Sequence, residues 1–158
     1  MHIPNGRLRS LQLEILKVLL NNFEVPDYLW AFERGKSIPD MAALHVGKKW
    51  VISLDLENFF GRVHVKHIVP MLVGKGIDPK SSRIIAELCT YKYFLPQGGI
   101  TSPKLSNLVT ANTFGPPLKA FCDKEGLTLT VYADDITVST DKPLELAQVQ
   151  EITNKISQ

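Results

Sequence analysis

The sequence predicts an α+β fold, a small sheet whose strands are separated by helices. Three observations carry that prediction. A β-branched apolar run, Trp50-Val-Ile-Ser-Leu-Asp-Leu, stands alone between helical segments. Two further β-rich runs, residues 127–131 and 136–139, are separated only by Tyr132-Ala133-Asp134-Asp135. Much of the rest repeats its apolar residues at helical spacing. With 158 residues and 44% hydrophobic content, the chain can bury a core of its own. Its 22% charged residues favour neither a disordered tail nor a fibrous class.

Taken in order, Leu8, Leu11, Ile15, Val18 and Leu19 predict a helix over residues 7–21, with Asn21-Asn22 as its stop. Residues 34–40, Arg-Gly-Lys-Ser-Ile-Pro-Asp, read as a loop leading into a short helix over 40–46. The Trp50 run reads as a buried strand ending near Asp55. Residues 63–73 are expected to be helical, with Gly74 and Gly76 ending the helix. Pro79 suits the first position of another, running to about Tyr91. Pro96-Gln97-Gly98-Gly99 breaks the chain before a helix from Ser102-Pro103 through Asn112, which Pro116-Pro117 interrupts before a further turn or two. The two β-rich runs predict a hairpin, and residues from Pro143 onward a last helix. One strand, a helical crossover, a hairpin and another helix make most of a split βαβ unit, the ferredoxin-like arrangement, without the strand that would close it.

Net charge is only +2, but its distribution is uneven. Residues 1–100 hold 13 Lys and Arg against 9 Asp and Glu, whereas 101–158 hold 5 against 7. A basic front half beside an acidic segment suits a polyanion-binding surface facing a metal-binding pocket, although on charge alone ordinary solvated faces are the better account. Cys89 and Cys122 have no zinc-like spacing and read as reduced, partly buried thiols. No apolar run approaches membrane-spanning length and no signal peptide opens the chain, so a soluble, cytoplasmic protein with no membrane partner is expected.

The chemistry concentrates on carboxylates. Asp134 and Asp135 repel one another and sit between Leu-Thr-Leu-Thr-Val and Ile-Thr-Val-Ser, in a hairpin rather than a solvated loop. An isolated Asp pair is more often a turn preference. A third carboxylate, Asp55, ends another predicted strand, and if the strands are neighbours all three converge at one sheet edge. Such a cluster calls for cations. Hard oxygen ligands without His or Cys suit Mg²⁺ or Mn²⁺ rather than zinc. Two such ions about 3.5–4 Å apart serve phosphoryl transfer, with Asp55 and Asp134 as the bridging ligands and Asp135 in support.

Three boxes then carry a resemblance. Tyr132-Ala133-Asp134-Asp135 between apolar strands resembles the catalytic box of reverse transcriptases. Asp55-Leu-Glu-Asn-Phe-Phe60 is similar to that family's first aspartate box, and Leu95-Pro-Gln-Gly-Gly-Ile-Thr-Ser-Pro103 to its nucleotide-positioning box, continued by Lys-Leu-Ser-Asn-Leu. All three stand in the expected order. Within the family, Pro4-Asn-Gly-Arg-Leu-Arg-Ser-Leu-Gln12, Arg34-Gly-Lys-Ser-Ile and Ala42-Ala-Leu-His45 resemble the bacterial retron type, with Met41 where that group usually has Asn. Group II intron enzymes and phage-defence relatives share most of the rest.

The resemblance implies a polymerase palm of ferredoxin-like type with part of a helical fingers region: fingers over 1–48, then palm over 49–158 with interleaved fingers helices at about 61–100. It implies catalytic Asp55, Asp134 and Asp135, with two Mg²⁺ held by these and by the backbone carbonyl of Leu56. Phe60 would lie under the sugar of the incoming nucleotide and exclude a 2′-OH, while Gln97 and Gly98 lie beside it, glycine allowing close backbone approach. Phe59 reads as a core aromatic. Arg7, Arg34 and Lys36 would contact nucleic-acid phosphate, with a solvated loop as the competing reading. His45, His64 and His67 receive no catalytic role.

Implied partners are an RNA template, a DNA or RNA primer, dNTP, a cognate structured RNA and an effector protein. The family carries a basic hairpin before the stretch seen here and a closing palm strand and thumb after it. The chain is therefore expected to bind primer-template weakly, to extend it poorly or not at all, and to self-associate through an open sheet edge or be locally disordered there. A non-catalytic RNA- or protein-binding remnant is the alternative. A palm-type nucleotidyl cyclase shares the metal logic but gives no account of the Gln-Gly…Ser-Pro box.

Overall fold

The computed structural model describes residues 5–157, so Pro4 of the N-terminal motif and residues 1 and 158 at the ends of the expected regions lie outside it. Packing divides the chain into two compact units: Met1–Val25 with Asn58–Val109, and Pro26–Glu57 with Thr110–Gln158. Residues 26–48 therefore group with the sheet rather than with the first helix.

In the helical unit, α1 (Gly6–Glu14) starts on Asn5, whose side chain accepts from the Leu8 N–H at 3.1 Å. The helical path continues as a π turn over Ile15–Leu19 and a 3-10 turn over Leu20–Asn22. The expected helix is present, but its winding changes twice. Gln12 lies buried within α1, its amide donating to the Leu88 carbonyl at 2.8 Å. A single turn, α3 (Phe59–Arg62), was not foreseen from the sequence. Next come α4 (Val65–Gly74) and α5 (Pro79–Cys89), the latter capped by Asp78 accepting from Lys80 and Ser81. With α6 (Ser102–Thr110), they close a core that includes Leu20, Ile68, Leu72, Ala86, Leu105 and Leu108.

The sheet unit begins with residues 26–37 and α2 (Ile38–Ala43), which starts earlier than expected because Ser37 caps it by accepting from the Asp40 N–H at 3.3 Å. Three strands follow, β1 (Trp50–Asp55), β2 (Thr128–Tyr132) and β3 (Asp135–Thr140), in the antiparallel order β1-β3-β2. The expected hairpin is β2-β3. Residues 28–30 cover the outer edge of β2: the Val131 N–H donates to the Tyr28 carbonyl and the Trp30 N–H to the Val131 carbonyl, both at 2.8 Å.

β1 is where the sequence expected a strand, but it is not buried. It pairs with β3 alone, and Trp50 and Val51 are 49% and 52% exposed. Among the described residues no strand pairs with its outer edge, so side chains that read as core face solvent. α7 (Gly115–Glu125) is a second correction. Pro116 and Pro117 begin an eleven-residue helix instead of interrupting one, since proline at the first positions of a helix forfeits no intrahelical bond. α8 (Leu146–Ser157) is the last element.

Strand register sorts the side chains between two faces. Leu129, Val131, Ile136 and Val138 are buried and share one face, on the side of α7 and its buried Leu118 and Cys122. The opposite face carries Thr130 and Tyr132 on β2, Asp135, Thr137 and Ser139 on β3, and Ser53 and Asp55 on β1. One face makes the core, and the other is mainly polar, with the exposed Val51 opposite Ser139 as an apolar member.

Candidate active site

The polar face is roofed at one end and open at the other. At the roofed end, His45, in the turn after α2, spans the hairpin: its Nδ1 lies 2.6 Å from Ser139 Oγ and its Nε2 2.9 Å from Thr130 Oγ1. Both hydroxyls are buried. Burial pulls the His45 pKa below its usual value, and the Lys48 charge adds to the effect. Lys48 itself pairs with Asp141 at 2.7 Å, tying the approach to β1 to the end of β3. Sequence alone assigns His45 no catalytic role. The structure gives it a fastening role, joining β2 to β3, the hairpin whose turn carries Asp134 and leads into Asp135.

At the open end, Asp55 stands directly opposite Asp135 in the β1-β3 ladder, with both side chains on the polar face and both residues exposed. The Leu56 N–H donates to the Asp134 carbonyl at 3.0 Å, which carries the β1-β3 pairing one residue further and holds the Leu56 peptide beside the hairpin turn. Ala133 and Asp134 form that two-residue turn, closed by the Tyr132–Asp135 pair. Ala133 has φ 55°, a conformation that costs a residue with a Cβ about 1–2 kcal/mol. Phe32, exposed and at φ 63°, places its ring 6.5 Å from that of Tyr132. Strained non-glycine backbone of this kind concentrates at functional sites. The sequence carried no signal for Phe32.

The strands bring Asp55, Asp134 and Asp135 to one end of the sheet, but among the described residues no three His, Cys, Asp or Glu side chains form a ready metal cage. The Asp55 and Asp135 carboxylates and the Leu56 carbonyl offer hard oxygen donors only, which fits Mg²⁺ or Mn²⁺ in kind.

The nucleotide-box residues belong to the helical unit. Phe59 is buried, as expected, and Phe60 is half-buried against the core, with ring centres 5.3 Å apart. Gln97 and Gly98 lie exposed in the turn before α6. Gly98 is required by its φ of 91°. At the neighbouring Gly99 a Cβ would meet Ser102 Oγ at 2.5 Å, so the turn itself needs a glycine there.

Of the basic residues, Arg7 and Arg34 are exposed. Lys36 is committed to its own loop: its ammonium donates to the Asp27 and Leu29 carbonyls at 2.7 and 2.8 Å and lies over the Trp30 ring. Cys89 and Cys122 are free and buried, and burial pushes both thiols up to about 11. No helix is long and apolar enough to cross a membrane, among the described residues.

Comparison with known proteins places these observations. The family described as reverse transcriptase (RNA-dependent DNA polymerase) matches residues 1–158. Among individual relatives, the retron Ec86 reverse transcriptase of Escherichia coli is 28% identical over 148 residues, which cover 94% of this chain and 46% of the relative. The retron Mx65 reverse transcriptase of Myxococcus xanthus is 31% identical, covering 100% of this chain and 41% of the relative. The retron Se72 reverse transcriptase of Salmonella heidelberg is 31% identical over 145 residues, covering 89% and 37%. The chain thus spans less than half the length of these relatives.

Proposed function

The chain belongs to the reverse transcriptase (RNA-dependent DNA polymerase) family, and from that premise we propose that its sheet unit is the catalytic part of an RNA-directed DNA polymerase. The observation that carries the reading is the register that sets Asp55 opposite Asp135, beside the strained turn that presents Asp134. In this reading the primer 3′-oxygen attacks the α-phosphorus of a dNTP paired to an RNA template. A new P–O bond forms, the α–β bridging P–O bond breaks, and pyrophosphate leaves.

Asp55, Asp134, Asp135 and the Leu56 carbonyl are the groups that would hold two Mg²⁺ ions. Mg²⁺ is usually bound by one or two carboxylates plus substrate phosphates, and Asp55 and Asp135, paired across the β1-β3 ladder, would supply such carboxylates. The ions, when bound, supply activation of the attacking hydroxyl and neutralisation of charge on the leaving oxygen. The chain's own part is to hold the carboxylates in place, through the β1-β3 ladder and the His45 fastening behind it.

In the helical unit we assign Phe60 to the sugar of the dNTP, where a ring leaves no room for a 2′-OH, and Gln97 and Gly98 to the same nucleotide. Interleaved helices of that unit would be the fingers. Arg7 and Arg34 are assigned to nucleic-acid phosphate, with Lys36 shaping the loop that carries Arg34. The open outer edge of β1 supports self-association there.

Primer extension on an RNA template with Mg²⁺ tests the reading, in this chain and in a form extended to the relatives' length, each beside its Asp134→Ala variant. Extension is expected to fall about a hundredfold or more in the variant, as for loss of a group that stabilises transition-state charge. Extension untouched by Asp134→Ala would overturn it, and RNA binding without extension in either form would favour a non-catalytic module.

A further inference from the structure

Away from the carboxylates, the helical unit carries a second strained feature. Lys92 and Tyr93 both have positive φ, 49° and 69°, at the tip of a turn closed by the Tyr91–Phe94 bridge. The Tyr91 N–H donates to the Phe94 carbonyl at 2.8 Å and the Phe94 N–H to the Tyr91 carbonyl at 3.1 Å. Residues 63–65 hold the turn from the side: the Val65 N–H donates to the Tyr93 carbonyl at 2.9 Å, and the Leu95 N–H to the Val63 carbonyl at 3.0 Å. Two consecutive non-glycine residues in this conformation are costly, and a turn serving only to reverse the chain would favour glycine or asparagine.

The turn puts aromatic rings into solvent. Tyr91, Tyr93 and Phe94 are 48%, 66% and 40% exposed. They are not scattered, because the His64 ring stacks on Tyr93 with centroids 6.0 Å apart and meets Phe94 edge-on at 4.8 Å. The Lys92 ammonium lies 5.7 Å from the centre of the Tyr91 ring. Lys66, in the first turn of α4, and Lys92, at the tip of the turn itself, are exposed cations close to these rings in sequence, and the nearest acidic residue before Tyr91 is Glu87 on α5.

We propose that His64, Lys66 and the turn from Tyr91 to Phe94 form a stacking platform for unpaired bases of a single-stranded RNA. Exposed rings give a face to any unstacked base, and the neighbouring ammonium groups meet the backbone phosphates. A duplex keeps its bases inside and offers such rings nothing to stack on. The choice of RNA rests on the polymerase reading, which supplies a single-stranded RNA template. The platform itself rests on the rings, the strain and the two exposed lysines, Lys66 and Lys92.

Fluorescence anisotropy with a labelled oligouridylate of about 12 nucleotides, beside a paired RNA duplex of the same length, tests it. Tyr93→Ala should weaken oligouridylate binding by about fivefold to a hundredfold, the range for one lost base–aromatic stack, while leaving duplex binding unchanged. Tyr93→Phe should bind as the parent does. Lys92→Ala should weaken binding and make it less salt-dependent. Ultraviolet crosslinking should place the RNA on Tyr91, Tyr93 or Phe94. Parental binding by Tyr93→Ala, an equal loss in Tyr93→Phe, or crosslinks confined to other segments would overturn the platform. The two readings fail separately. Extension that persists while the Tyr93 variants bind normally removes the platform alone, and Tyr93-dependent binding in a protein that never extends a primer removes the polymerase alone.

Discussion

Tyr28 and Gly115 meet inside the sheet unit in a contact that makes opposite predictions for its two sides. The Tyr28 hydroxyl is buried with no hydrogen-bond partner among the described residues, and burial raises its pKa to about 12. A Cβ on Gly115 would lie 2.5 Å from that hydroxyl and 2.6 Å from the Thr110 carbonyl oxygen. Removing a buried polar atom that makes no bond relieves a desolvation cost, so Tyr28→Phe should leave stability unchanged or raise it by about 1 kcal/mol. Gly115→Ala should lower stability by about 1–3 kcal/mol, because one neighbour is backbone and cannot swing aside. Denaturant melts of both variants check the pair. A clear loss in Tyr28→Phe would mean that the hydroxyl has a partner after all. Neither residue drew attention in the sequence, where a tyrosine near a tryptophan and a glycine before two prolines look ordinary.

Elements were legible where one local rule dominates and illegible where pairing or winding decides. The hairpin was readable because β-rich runs bracket a turn, and α5 because Pro79 suits the first position of a helix. The exposure of β1 was not, since a strand's burial depends on neighbours that its own residues do not encode. Likewise, nothing in residues 15–19 announces a π turn. The aspartates stood out because their chemistry is unusual for a hairpin. His45 was passed over because its partners, Thr130 and Ser139, are distant in sequence and chemically unremarkable. α4 went against a rule and still formed: Pro70 lies inside it, on its exposed side. That proline has no N–H to give the Lys66 carbonyl, and water can satisfy the carbonyl instead. Pro70→Ala should therefore stabilise the protein, by about 1–3 kcal/mol once the gain in unfolded-chain freedom is deducted. Thermal or urea melts that show a loss would mean that the bend made by Pro70 is needed to seat Ile68, Met71 and Leu72 in the core.

On the scale of the whole molecule, the response to acid follows from two histidines, one in each unit. Burial, with the Lys48 charge second, lowers the His45 pKa from 6.5. Burial followed by the Lys66 and His64 charges lowers that of His67. His67 has a further reason to stay neutral, because its Nδ1 accepts from the His64 N–H at the start of α4. A histidine whose pKa is lower in the folded state binds its proton more readily when unfolded. Below 6.5, and down to the lowered folded values, the unfolded chain therefore holds more protons, and stability falls as pH falls. The lowered pKa values of Asp78 and Asp141 act in a separate window, below 3.8, so they do not blur the first. The melting temperature should hold near pH 8 and decline between about pH 6.5 and pH 5.5. His67→Gln keeps an oxygen to accept from the His64 N–H and removes one titrating group, so its decline over that interval should be shallower than the parent's. A melting temperature that is flat or rising through the interval would show that both rings take up protons without cost. The His45 contact would then fasten the hairpin equally well with the ring charged.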